Sequence, residues 1–396
     1  MPATNVVGCH CLRSLHPRVE GKPSAPRDAA LAIICQVSDT GVVHSTEAVR
    51  DGRFIKYSER LMLARVLGLI VLIVATPIAP GAQSRGATEN PNSAVPGNVV
   101  GLVGSVERNV IYGMVSGAAL LLDVYRPAQS NGLGVLYLGG GGWASGPEYS
   151  AIALKDTAFV PLVNALAKAG YTVFAINYRT TPVFSYPEPL EDVRRAIRFV
   201  RHSASQYGID PNRIGGFGGS AGGHLMALAA LTADTGDAGD PDPINRQSTR
   251  IQAMALVAAP LDLLAPDFVG SAAMGAFMRM RPPVANAPAT SGQVRLYRDA
   301  SPITHISADD PPTILIHGDA DKQVSLRQSQ AFDTALRKAN VPSKLVVVPG
   351  GDHGATFGLA AGVSRPPNWP DEIGEIVRWF DQHLKAARTG DTVTRP

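Results

Sequence analysis

Cysteine is nearly missing. The 396 residues include three, Cys9, Cys11 and Cys35, all within the first 35 positions. Everything downstream therefore has no disulfide, no thiolate nucleophile and no cysteine-held metal. Charge is sparse too: Asp, Glu, Lys and Arg make up 17% of the residues and leave a net +3. That excess sits upstream, where residues 1–81 carry nine Lys/Arg against six Asp/Glu; the rest, with 27 of each, is formally neutral. A neutral body offers no electrostatic reason to expect nucleic acid or an acidic membrane surface as partner. No internal repeat is visible. The uncharged run at 66–75 is about ten residues long, short of the roughly 20 that a membrane-spanning helix needs. The acid-rich stretch 232–250, with Asp234, Asp237, Asp240 and Asp242, lacks the ligand spacing of an EF-hand and reads as a solvated surface loop rather than a calcium site.

What remains is an ordinary globular composition, 45% apolar, in a chain long enough for one large core or two modest ones. Residues 1–61 show no helical or strand period of useful length and are expected to be a non-native or structureless extension, with the true start at Met62. Arg60 and Arg65 then precede an apolar run that closes on small residues, the pattern of a signal peptide over 62–82. That pattern predicts a secreted or periplasmic protein; left uncleaved, the same segment would act as a membrane anchor. Residues 83–104 read as a Gly/Asn/Pro/Ser-rich linker, 105–387 as the folded domain and 388–396 as a structureless tail.

Within the domain, strand and helix periods alternate. Two strand-like runs at 106–112 and 118–125 flank a Gly-containing turn and predict a hairpin. Short apolar runs at 134–138, 171–176, 213–217, 251–258, 313–317 and 344–348 suit buried parallel strands. Helical patterns fall at 158–169, 190–207, 224–231 and 325–339, and Pro370 opens a last helix with Ile373, Ile376, Val377, Phe380 and Leu384 on one face. Residues 262–300 are rich in Met, Ala and Pro and could form a small cap. Alternation of this kind implies an α/β fold, a mostly parallel sheet with helices on both faces.

The stretch Gly218-Gly219-Ser220-Ala221-Gly222 lies where the strand at 213–217 gives way to an apolar helix. This is the G-x-S-x-G of a nucleophile elbow, in which glycines on either side of a strained serine remove steric clashes. A serine needs a base and a carboxylate to become a nucleophile. Loops that follow parallel strands supply both: Asp319 and Asp321 follow the strand at 313–317, and His353 follows the one at 344–348. The spacing alone leaves Asp319 and Asp321 both open as the acid. His224 is close to Ser220 in sequence and His317 begins the acid loop, so both read as supporting residues, and Asp352 reads as a solvated turn residue. Gly139, Gly140, Gly141 and Gly142 directly follow an early strand, where backbone N–H groups can approach a substrate. With the Ala221 N–H, those of Gly140 and Gly141 are the expected oxyanion hole. Trp143 either walls the substrate pocket or is buried for structural reasons.

Six separated motifs occur in order: Gly139 to Trp143; Asn177-Tyr178-Arg179; Gly208-Ile209-Asp210-Pro211-Asn212-Arg213-Ile214; Gly218-Gly219-Ser220-Ala221-Gly222-Gly223-His224; His317-Gly318-x-x-Asp321-x-x-Val324; and Gly351-Asp352-His353-Gly354. Together they resemble the α/β-hydrolase fold carboxylesterases related to hormone-sensitive lipase and to bacterial feruloyl and acetyl-xylan esterases. The resemblance covers about residues 105–386. It implies Ser220 as nucleophile, Asp321 as acid and His353 as base. It also implies a secreted serine esterase acting on small-molecule or polysaccharide-linked esters, with short acyl groups and with neither metal nor organic cofactor. The alternatives are an amidase or peptidase of arylformamidase type and a non-catalytic binding protein on the same scaffold. The chain departs from the family at Gly139, where a histidine usually precedes the glycines, so the support of that loop has to be found elsewhere.

Overall fold

The computed structural model describes residues 32–37, 43–50, 53–56, 103–144, 160–268, 272–283, 287–353 and 370–385. The chain divides into two units, Met1–Ala87 and Thr88–Pro396. In the first, β1 (Ala32–Val37), β2 (Val43–Arg50) and β3 (Arg53–Lys56) form an antiparallel sheet in that order. The sequence reading expected no regular structure here. β1 is a continuous run of mostly apolar residues and β2 alternates only weakly, so neither shows the period that marks a half-buried strand. The expected signal peptide at 62–82, the linker up to 102 and the tail at 388–396 lie outside the described residues.

The second unit is built on one eight-stranded sheet. It opens with a hairpin of β4 (Val103–Val115) and β5 (Ala118–Pro127), turning through Ser116 and Gly117, both at positive φ. The next strands are β6 (Gly134–Leu138), β7 (Thr172–Ile176), β8 (Ile214–Gly219), β9 (Ala253–Val257), β10 (Thr313–Gly318) and β11 (Ser343–Val348). Their order across the sheet is β4-β5-β7-β6-β8-β9-β10-β11. Every pairing from β7 to β11 is parallel, and those of β4 with β5 and β5 with β7 are antiparallel. β6 through β10 are buried at every residue, which is why they read as apolar runs rather than alternating ones.

Helices cover both faces. On one side α1 (Val160–Lys168) and α8 (Glu372–Phe380) pack together against the sheet. On the other lie α2 (Glu188–His202), the short α3 (Ala204–Tyr207), α4 (Ser220–Leu231) and α7 (Leu326–Lys338). Leu190, Val193, Ile197 and Val200 recur at helical spacing along α2 and are all buried. Each fully buried side chain of this kind contributes about 1.5–3 kcal/mol relative to exposure. The expected helix at 190–207 is thus interrupted at Ser203 and ends on Gly208, whose φ of 64° lets its N–H turn back to close the last turn. The segment expected to cap the domain contains α5 (Ala272–Met278), α6 (Gly292–Asp299) and a 3₁₀ turn, Pro302–His305. The carboxylates of the 232–250 loop are engaged at home: Arg198 pairs with Asp234 and Arg195 with Asp242, while Asp237 and Asp240 accept nearby backbone N–H groups.

Candidate active site

β8 and α4 meet without a connecting loop, since β8 ends at Gly219 and α4 begins at Ser220. The helix therefore starts four residues earlier than its apolar pattern at 224–231 indicates. Ser220 takes φ of 50°, in the left-handed region that a residue with a side chain enters only under strain. The flanking glycines make this geometry accessible. A Cβ on Gly218 would collide with the backbone of Gly222 and Gly223, and one on Gly222 with the carbonyls of Leu138 and Gly139. The turn therefore folds back on itself and against the end of β6, leaving the Ser220 side chain half-buried at the sheet's C-terminal edge.

Two loops at that edge meet Ser220. The Ser220 hydroxyl lies 2.9 Å from His353 Nε2, and His353 Nδ1 lies 2.7 Å from Asp321 Oδ2. With Nδ1–H donating to the carboxylate, Nε2 is left as acceptor for the serine proton. The Asp321 side chain is shielded from solvent, and its other oxygen accepts the N–H groups of Gln323 and Val324, at 2.8 and 3.0 Å. Burial works against its charge. Hydrogen bonds from His317, His353 and Val324 outweigh that and hold the carboxyl well below the usual carboxylate range.

The ambiguity between the two aspartates ends in a division of labour. Asp319 accepts the N–H of Gly350 at 2.6 Å, and the Ala320 N–H donates to the Gly351 carbonyl at 2.9 Å. These bonds stitch the loop that carries Asp321 to the loop that carries His353. His317, fully buried, bonds Ser329 through Nδ1 and the Val324 carbonyl through Nε2, both at 2.8 Å, with Asp321 Oδ2 3.3 Å from Nε2. It braces the acid loop from beneath, as a supporting residue.

Of the three groups expected to form an oxyanion hole, Gly140 lies against the nucleophile. A Cβ on Gly140 would stand 3.0 Å from the Cβ of Ser220, so this stretch of loop lies directly against the nucleophile. Gly141 and Gly142 have positive φ, 105° and 64°, in a turn closed by the Ala144 N–H on the Gly141 carbonyl at 3.1 Å. Ala221 is the second residue of α4, where backbone N–H groups point out of the helix end.

Of the two readings of Trp143, the buried structural one fits its surroundings. It is 2% exposed, stacks on Phe277 with ring centroids 4.6 Å apart, and donates its indole N–H to His224 Nδ1 at 3.1 Å. It underlies the glycine loop instead of walling an open pocket, because a wide apolar ring with one polar edge is best satisfied when that edge finds a buried acceptor. Tyr178, named in the sequence only as part of a motif and given no role there, has its hydroxyl 3.4 Å from the Gly139 carbonyl. The signal available for His224 was its position: one histidine inside an otherwise apolar Ala/Leu-rich helix implies buried partners.

The sheet order, the helices on both faces and a Ser–His–Asp chain gathered at the ends of parallel strands define an α/β-hydrolase. Within that class the chain belongs to the BD-FAE family, whose model matches residues 122–336. The match takes in Ser220 and Asp321 and stops short of His353. The "Probable carboxylic ester hydrolase LipM" of Mycobacterium tuberculosis is 35% identical over 57% of this chain and 50% of its own length. Esterase LipQ of the same organism is 32% identical over 61% of this chain and 55% of its own. The chain thus spans about half the length of these curated relatives. Among solved structures, the acetyl ester-xyloside bifunctional hydrolase of Caldicellulosiruptor lactoaceticus superposes with a TM-score of 0.57 at 27% identity, covering 71% of this chain and 97% of that one. The butyrate-bound esterase Est2 of Thermogutta terrifontis does so with a TM-score of 0.53 at 26% identity, covering 74% and 96%.

Proposed function

We propose that the chain is a serine carboxylesterase acting on carboxylic esters through an acyl-enzyme on Ser220. The observation that carries this reading is the continuous hydrogen-bonded path from Ser220 through His353 to Asp321, with the serine held at φ of 50°. The Ser220 Oγ attacks the ester carbonyl as His353 Nε2 takes its proton, and Asp321 stabilises the imidazolium that results. The carbonyl oxygen becomes an oxyanion facing the N–H groups of Gly140, Gly141 and Ala221. Collapse expels the alcohol, which leaves with the proton from His353. Water, deprotonated by the same nitrogen, then attacks the acyl-serine; the acid departs and the serine regains its proton. Every step draws on groups of this chain.

Short acyl esters, including acetyl or feruloyl groups on polysaccharides, are the substrate class we favour. Likeness to an acetyl ester-xyloside hydrolase and to a butyrate-bound esterase supports it. The leader-like stretch at 62–82 supports a secreted or periplasmic location, and among the described residues no helix is long and apolar enough to cross a membrane. N-terminal sequencing of the protein from its native host tests that placement: a start near residue 83 supports it, and peptides from residues 1–61 overturn it.

The decisive experiment is hydrolysis of p-nitrophenyl esters from acetate to palmitate, with Ser220→Ala alongside. Turnover should peak at short chains and fall by about 10⁴-fold or more in the variant. A fluorophosphonate should label wild type and not the variant. Labelling without ester turnover would redirect the reading to amides, and neither labelling nor turnover would leave a binding protein.

A further inference from the structure

Gly139 heads the glycine loop without a side chain that could anchor it, so the loop must be held in another way. Its backbone is tied sideways to the strand-end turn after β7: the Thr181 N–H donates to the Trp143 carbonyl at 2.9 Å, and the Tyr178 hydroxyl reaches the Gly139 carbonyl at 3.4 Å. Neither bond links the loop to the nucleophile. The oxyanion donors, however, are split between two elements, Gly140 and Gly141 on the loop and Ala221 on α4. Their mutual geometry depends on what joins loop to helix.

Among the described residues, the side-chain hydrogen bond between the loop and α4 is the one from Trp143 Nε1 to His224 Nδ1, 3.1 Å. His224 lies one helical turn past Ser220 and is fully buried. Its Nε2 bonds the Ala300 carbonyl at 2.7 Å, at the end of α6, so Nε2 carries the hydrogen and Nδ1 offers a lone pair to the indole. Burial pushes the imidazole down to about 4, which keeps that lone pair free at neutral pH. Phe277 of α5 packs flat against Trp143 and edge-on to His224, with centroids 4.6 and 5.4 Å away, and fixes both rings.

We infer that His224 is a positioning residue for the oxyanion hole: through Trp143 it locks the glycine loop to the first turn of the nucleophile helix. This rests on the serine-esterase reading. Displacements of about 1 Å in such a site can lower rates by about 10²-fold, so the tie acts on kcat rather than on ground-state binding.

The test uses the full chain and three single variants. Trp143→Phe keeps the stacked ring and deletes the N–H. His224→Leu deletes the acceptor, and His224→Asn retains an acceptor near the Nδ1 position. Trp143→Phe and His224→Leu should each lower kcat by about 10-fold or more, below the roughly 10²–10³ that follows outright loss of an oxyanion donor. KM should stay within about twofold, His224→Asn should recover most of the rate, and the double variant should be no worse than the poorer single. Amide hydrogen exchange across Gly139 to Gly142 should quicken in Trp143→Phe while its Tm stays close to wild type. Wild-type kcat and wild-type exchange in a folded Trp143→Phe would overturn the proposal, as would equal losses of kcat and Tm in Asn and Leu at 224. If wild type turns over no ester, the esterase reading fails by itself, and the exchange comparison still decides whether the tie exists.

Discussion

Asp321 and His224 are both buried ionisable groups, and burial acts on them in opposite ways. Hydrogen bonds from His317, His353 and Val324 keep Asp321 ionised against its desolvation, whereas burial beside the uncharged rings of Trp143 and Phe277 keeps His224 neutral, with the Ala300 carbonyl acting the other way. Both folded-state values lie below the unfolded ones, so both contribute stability that is lost on acidification, in different windows. For His224 the unfolded chain takes up a proton near 6.5 that the folded chain refuses until about 4. Between those values the unfolded state binds more protons, so stability falls with pH at about 1.4 kcal/mol per unit. Asp321 contributes in full above the ordinary carboxylate value of 3.8 and drains away only below it. Denaturant unfolding across this range should therefore show two steps. His224→Asn should flatten the upper one and Asp321→Asn the lower. An unchanged slope between pH 6 and 4 in His224→Asn would mean that the imidazole is charged in the folded protein. Asp321→Asn should also lower kcat by about 10⁴-fold, since an amide can hold His353 in the wrong tautomer.

At the scale of elements, α4 shows what the sequence made legible and what it hid. The elbow, the parallel strands and the order serine, acid, base follow from motifs and apolar runs, because a buried parallel strand and a strained turn each leave few residue choices. The start of the helix was hidden. Gly222 and Gly223 read as turn residues since glycine disfavours helix interiors by about 1 kcal/mol relative to alanine, yet α4 runs through both. Backbone approach from β6 overrides propensity there. Gly222→Ala exposes the contest directly. Propensity predicts a gain of about 1 kcal/mol, while the added Cβ would strike the carbonyls of Leu138 and Gly139. Sterics should win, with a lower Tm and loss of ester turnover; a raised Tm with turnover retained would mean that the loop is free to retreat. The three N-terminal strands and the roles of Trp143 and Tyr178 were hidden for a related reason. Pairing partners and buried hydrogen bonds are properties of approach in space, and neither leaves a period in the chain.

Over the whole molecule, the second unit holds every strand of the eight-stranded sheet and every side chain of the Ser220–His353–Asp321 path. The nucleophile comes from the sheet's centre, at the end of β8, while the acid and base come from the end of β10 and from edge strand β11. Order along the chain is thus converted into position along one edge of a rigid sheet, and the bonds of Asp319 and Ala320 to Gly350 and Gly351 join the last two loops before either meets the serine. The chain from Thr88 onward should accordingly fold with the Tm of the full chain, and its kcat and KM on p-nitrophenyl acetate should agree within about twofold. Asp319→Ala, by contrast, should uncouple the acid loop from the base loop and lower kcat while leaving fluorophosphonate access to Ser220 open. If the truncated chain instead lost activity while Asp319→Ala kept it, the site's rigidity would have to come from the N-terminal unit rather than from the stitched loops of the sheet.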